Sequence, residues 1–209
     1  MKRFLIIIQL LLLQATVLLP VVSAQNEATK ILDKAAAAFQ NAGGVKAEYT
    51  FTVEGESSHG VIKMKGQSFV NTFDDHVIWF DGKTLWTLVK SNEEVNITTP
   101  SQREVAKMNP YAFVSIYKKG YTAKQTGKGS KDVYEIELTA NADNKSSVKS
   151  ILLRLARSNY EPRFVRMKTA DGATTEITVK SFVKGQKYGS STFQFNPKNY
   201  PDVDIVDLR

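Results

Sequence analysis

The chain contains no cysteine. Disulfides, thiolate nucleophiles and Cys-based metal sites are therefore excluded, and an export leader here cannot end in a lipid-modified cysteine. Histidine is scarce as well: His59 and His76 are the only two, one beside an expected turn and one at a strand start, and both read as surface residues. His/Cys metal clusters drop out with them, so neither a metal nor a cofactor is expected. A Ser-His-Asp hydrolase built from His76 with Asp74 or Asp75 lacks the G-x-S-x-G elbow and its following helix, and the chain is not expected to be an enzyme. Asp202, Asp204 and Asp207 lack a Gly-bearing calcium-loop pattern and read as solvated. No basic stripe is interleaved with aromatics, which argues against nucleic acid as a partner; Arg154, Arg157, Arg163 and Arg166 read as solvated positions on strands.

Only one long apolar run is present. Lys2 and Arg3 precede an almost wholly apolar Phe4–Val22, and Val22–Ser23–Ala24 supplies small residues ahead of Gln25. This pattern reads as a signal peptide over residues 1–24, with an uncleaved anchor as the alternative, and residues 25–209 as one domain of ordinary size. Loss of the leader takes Lys2 and Arg3 with it, so the formal charge of +7 becomes +5, a balance that suits an anionic membrane surface or an acidic partner.

After the leader the pattern changes from helix to sheet. Ala28, Ile31, Leu32, Ala35, Ala38 and Phe39 recur at helical spacing over 26–40, with Asn26 as cap and Gly43–Gly44 as stop. Short β-rich runs then follow at 45–54, 60–65, 68–73, 76–80, 83–90 and 93–98, and again at 121–127, 132–139, 148–157, 162–168, 174–183 and 192–195, all read as antiparallel. Between the two sets, Ser101–Met108 and Pro110–Tyr117 read as short helical or irregular segments. Asp81–Gly82 and Asp171–Gly172 mark hairpin turns, the former expected as a type I′ turn with both residues at positive φ. So many strands should curl towards a barrel, and an apolar inner face needs a cover, for which the N-terminal helix and the 101–117 segment are the candidates.

Asp81–Gly82–Lys83–Thr84–Leu85–Trp86 after a strand, the leader and helix before it, and an ending of Phe195–Asn196–Pro197 then Val203–Asp204–Ile205–Val206–Asp207–Leu208–Arg209 together resemble the periplasmic lipoprotein carrier family LolA. The resemblance runs over nearly the whole of 25–209. It implies a mainly β (α+β) fold: a strongly curved, incomplete antiparallel β-barrel of about 11 strands, with the N-terminal helix and a short helical segment as lid. A closed, lipocalin-like barrel is the structural alternative.

The resemblance further implies a periplasmic, monomeric chaperone that receives acylated lipoproteins from an inner-membrane ABC transporter and passes them to an outer-membrane, LolB-like acceptor. A LolA-like binder of another lipid, or a lipoprotein-sensing regulatory module, is the alternative. On this reading Phe51, Phe69, Phe73, Trp79, Leu85, Trp86, Leu153 and Leu155 are acyl-binding wall residues, and Ile31, Leu32, Phe39, Met108, Phe113 and Ile116 are lid residues. One departure stands out: family members carry an Arg-Pro pair after the second strand that latches the lid, where this chain has Lys63–Met64–Lys65–Gly66–Gln67–Ser68. An ammonium lacks the planar fork of donors that suits Arg to bridging several carbonyls.

Overall fold

The computed structural model describes residues 26–101, 104–105, 117–118, 120–127 and 129–209. The helix α1 spans Glu27–Gln40. Its N-cap is Asn26, whose side-chain oxygen accepts from the Ala28 amide at 3.0 Å while its Nδ2 donates to the Ala123 carbonyl at 2.6 Å, so one residue starts the helix and ties it to the sheet. Gly43 ends the segment at φ +70°. Ala28, Ile31, Leu32 and Ala35 make up the buried stripe.

Twelve strands form one open, curved sheet. They are β1 (Gly44–Val53), β2 (Glu56–Lys65), β3 (Ser68–Phe73), β4 (His76–Phe80), β5 (Leu85–Val89), β6 (Glu94–Thr98), β7 (Tyr121–Gln125), β8 (Val133–Ala140), β9 (Val148–Ala156), β10 (Pro162–Thr169), β11 (Thr174–Gln186) and β12 (Asp204–Asp207). The spatial order is β12-β6-β5-β4-β3-β2-β1-β11-β10-β9-β8-β7, two antiparallel meanders joined where β1 pairs with β11. Two register irregularities interrupt that central pairing, between Gly44 and Lys46 and between Glu48 and Tyr49, and such bulges bend a sheet. The β12 edge and the β7 edge do not meet, so the closed barrel is not formed.

Two details differ from the sequence reading. The run at 192–195 is not a strand: Ser190–Phe193 forms a 3-10 turn, and the twelfth strand is Asp204–Asp207, paired in parallel with β6. The Asp81–Gly82 turn is not type I′ either. Only Gly82 has positive φ (+104°), and Asp81 accepts the Lys83 and Thr84 amides at 2.9 and 2.8 Å, which closes a four-residue loop through the carboxylate. The two-residue turn with both φ positive occurs instead at Glu54–Gly55, between β1 and β2.

Strict alternation sorts the side chains onto two faces. The inner face, under α1, collects Val45, Ala47 and Tyr49 of β1, Ile62 and Met64 of β2, Phe69 of β3, Ile78 and Phe80 of β4 and Leu85 of β5. From the second meander it collects Ile136, Leu138, Ile151, Leu153, Leu155, Val165 and Ile177. The outer face carries a separate, smaller core of Val77, Trp79, Leu88, Val95 and Phe195. No described helix is long and apolar enough to cross a membrane.

Candidate functional site

The inner face is the surface on which an apolar ligand could be held, and most of the expected wall residues meet there. Phe69, Leu85, Leu153 and Leu155 are buried in the inner core, and Phe51 and Phe73 pack against it half-buried. Aromatic rings meet in two groups on this face: Phe51 meets Phe73 edge-on at 5.5 Å with Tyr49 6.3 Å from Phe51, and Phe69 lies 5.5 Å from Phe80. Beside them, Ala47, Tyr49, Ile62, Met64, Pro162, Val165, Ile177, Val179 and Phe182 enclose a cavity of about 20 Å³, room for about one water molecule.

Trp79 and Trp86 are not part of this wall. Alternation along β4 sends Ile78 and Phe80 inward and Val77 and Trp79 outward, and Trp86, paired with Trp79, follows it. On the outer face Trp79 meets Phe195 edge-on at 5.6 Å and Tyr200 at 5.7 Å, while Phe195 and Tyr200 stack at 5.5 Å. The segment 190–203 thus covers the tryptophans as an ordinary second core. A larger depression of about 480 Å³ opens against Glu48, His59, Val61, Thr72, Asp74 and Lys180, and its charged lining does not suit an alkyl chain.

The expected lid residues divide differently. Ile31 and Leu32 are buried against the inner face and Phe39 packs on it, whereas Met108, Phe113 and Ile116 lie outside the described residues, as do most of Ser101–Tyr117 and the leader. Of the described residues flanking 106–116, Val105 packs on the inner core and Tyr117 is part of it. Polar contacts hold α1 in place. Asp33 accepts from the Tyr117 hydroxyl and pairs with Lys118 at 2.9 Å. Lys34 sits 5.8 Å over the Tyr160 ring. Burial, with the Asp33 carboxylate alongside, pushes the Tyr117 phenol up to about 12. Lys65, nearest in sequence to the missing Arg-Pro latch, donates at 2.8 Å to the Tyr188 carbonyl.

Three inner-face residues escape a reading by composition. Tyr49 donates to Asn71 Oδ1 at 2.7 Å, and burial pushes its phenol up to about 12. His76 is not a surface residue: it stacks flat on Phe73 at 5.3 Å, and its Nδ1 is buried with no hydrogen-bond partner. The spacing Phe73–Asp74–Asp75–His76 carries the signal, because a two-residue turn sets its flanking residues opposite each other on one face.

Comparison with known proteins places this architecture. Residues 20–171 match the family described as outer membrane lipoprotein carrier protein LolA. An uncharacterized conserved protein from Thermus thermophilus superposes with a TM-score of 0.61 at 11% identity, over 86% of this chain and 98% of that one. A LolA superfamily protein from Nitrosomonas europaea gives 0.45 at 14% identity over 80% and 97%. The MucA/MucB complex of Pseudomonas aeruginosa gives 0.44 at 12% identity over 82% and 62%. No curated protein matches the chain. Likeness at these identities concerns the fold alone, and the family match over well over half of the sequence decides membership. On that match, the chain, an open sheet with its apolar face under an N-terminal helix, belongs to the LolA outer membrane lipoprotein carrier family.

Proposed function

We propose that this chain is a periplasmic carrier that holds the acyl chains of lipoproteins against the inner face of the sheet and shuttles them from the inner to the outer membrane. Export through the leader at 1–24 and a single carrier domain over 25–209 are part of this reading, as are release by an inner-membrane ABC transporter and delivery to a LolB-like acceptor. The observation that carries it is a largely apolar face extending from β5 to β9, in a sheet that never closes, under one amphipathic helix.

Magnitudes support a displaceable helix. The free volume of about 20 Å³ is far below the roughly 300–1,000 Å³ of sites for small ligands, so cargo enters by moving a cover. Lifting Ile31 and Leu32 off the sheet costs about 3–6 kcal/mol. A long acyl chain returns about 0.8 kcal/mol for each CH₂ buried, so about eight such groups already match that cost. Fatty chains therefore open the site, and short apolar molecules do not. On this reading Phe51, Phe69, Phe73, Leu85, Leu153 and Leu155 form the wall and Ile31, Leu32 and Phe39 the lid.

The test is native purification from envelope extracts with mass spectrometry of the bound material, together with titration by a fluorescent fatty-acyl probe. Near-stoichiometric triacylated peptide supports the carrier, and free phospholipid or fatty acid alone moves the reading to another lipid cargo. Phe51→Ser and Phe73→Ser, at half-buried wall positions, should each weaken probe binding severalfold. Unchanged binding in both folded variants removes the wall assignment.

A further inference from the structure

The inner face over β1–β4 is mostly apolar, and a polar group interrupts it near its middle. Tyr49 pairs with Gly60, Gly60 with Phe73 and Phe73 with His76, so the four form one row across the sheet. Gly60 has no side chain and the Tyr49 ring lies across it: a Cβ there would stand 2.3 Å from Tyr49 Cζ. This close approach carries the hydroxyl to β3, where it donates to Asn71 Oδ1. Asn71 is only 6% exposed, its oxygen is occupied, and its NH₂ has no partner among the described residues. His76 adds the buried, unpartnered Nδ1. Asn71 pairs with Ile78, two residues along β4 from His76, so Asn71 and His76 are diagonal neighbours about 7–8 Å apart.

A buried polar atom without a partner is uncommon because desolvation is then uncompensated; His76 Nδ1 is one, and the Asn71 NH₂ stands near it on the same face, held by Tyr49, which lines the small apolar cavity. An amide NH₂ only donates, and an imidazole nitrogen donates in one tautomer. The complement, in a molecule that is otherwise hydrocarbon, is a carbonyl oxygen. We infer that Asn71 and His76 bind the carbonyl oxygens of the cargo's acyl linkage, with Tyr49 positioning Asn71, so that the site selects fatty acyl esters and amides over plain alkyl chains. The inference rests on the acyl-carrier reading and adds linkage selectivity to it.

The experiment compares a dipalmitoylglyceryl-cysteine peptide with its dihexadecyl ether counterpart, which keeps the chains and lacks the ester carbonyls, by competition against the fluorescent acyl probe. Dipalmitoyl and dihexadecyl phosphatidylcholine repeat the comparison, so linkage and cargo source are read separately. The wild-type protein should prefer the ester by about tenfold or more. His76→Phe, which keeps the stack on Phe73, and Asn71→Leu should reduce that preference towards unity while leaving ether affinity unchanged. Equal binding of ester and ether by the wild-type protein overturns the inference and leaves the carrier reading standing, and so does a preference that persists in both variants. Binding of neither compound overturns both.

Discussion

Replacing Gly60 with alanine should destabilise the protein, and the sign of the effect should reverse when Tyr49 is removed. The added Cβ would lie 2.3 Å from Tyr49 Cζ, 2.4 Å from its hydroxyl oxygen and 2.8 Å from Cε1, so the ring must slide by roughly an ångström. Overpacking of this kind costs about 1–3 kcal/mol. The slide also strains the 2.7 Å bond to Asn71, and a buried amide left without its partner costs about 1–3 kcal/mol more. Gly60→Ala should therefore lose about 2–6 kcal/mol. In a Tyr49→Ala background the clash is absent, and because Gly60 is not at positive φ the methyl group should be neutral or stabilising by about 0.4–1 kcal/mol. Urea unfolding of the four proteins, followed by circular dichroism, measures the cycle. A Gly60→Ala penalty of equal size in both backgrounds would refute the reasoning, since the cost would then arise from the backbone and not from the ring.

Three further outcomes follow from the structure. The phenols of Tyr49 and Tyr117 have folded pKa values of about 12 against an unfolded value of about 10, so the native state holds protons that the unfolded chain releases. Stability should be fully present below pH 10 and fall between about pH 10 and 12, and Tyr49→Phe should flatten part of that decline in urea midpoints. Trp79→Ala should cost about 3–5 kcal/mol while leaving acyl-probe affinity unchanged, because the indole fills the outer core; weakened binding in the folded variant would return Trp79 to the wall. Arg154→Met should destabilise more than Arg166→Met. Its partner Glu135 is 4% exposed, so even with the Thr126 hydroxyl still donating it loses a charged partner in a desolvated setting, whereas Glu176, opposite Arg166, is 36% exposed, and an ion pair at such a site contributes about 0–1 kcal/mol. Equal midpoints for the two variants would count against that distinction.

Much of this architecture is legible in the amino-acid order where local signals agree. Asn26 as cap, the periodic Ala28, Ile31, Leu32 and Ala35, and Gly43 as stop all point to α1, and Gly or Asp clusters separate most strands correctly. The tryptophans mislead for a definite reason. In β4, Val77, Ile78, Trp79 and Phe80 are all buried, so alternation gives two apolar faces and no local clue to which one is inner. That choice is made by the segment 190–203, more than a hundred residues away, which brings Phe195 and Tyr200 to Trp79. β12 is illegible on the same ground: four residues flanked by Asp204 and Asp207 show little pattern, and their pairing is wholly long-range. The polar set on the inner face depends on register. Tyr49 reaches Asn71 only because Gly60 stands between them.

The parallel pairing of β12 with β6 has a bearing on how the chain is made. Val95 waits for Ile205, and Trp79 for Phe195 and Tyr200, so during synthesis from the N-terminus the first meander is complete long before its outer face can be covered. Until then the nascent chain shows an unpaired strand edge at β6 and two indoles to its surroundings, the features that invite misassociation and that holding factors recognise. The same dependence means that a cut between β11 and β12 would loosen the cover and uncover the tryptophans.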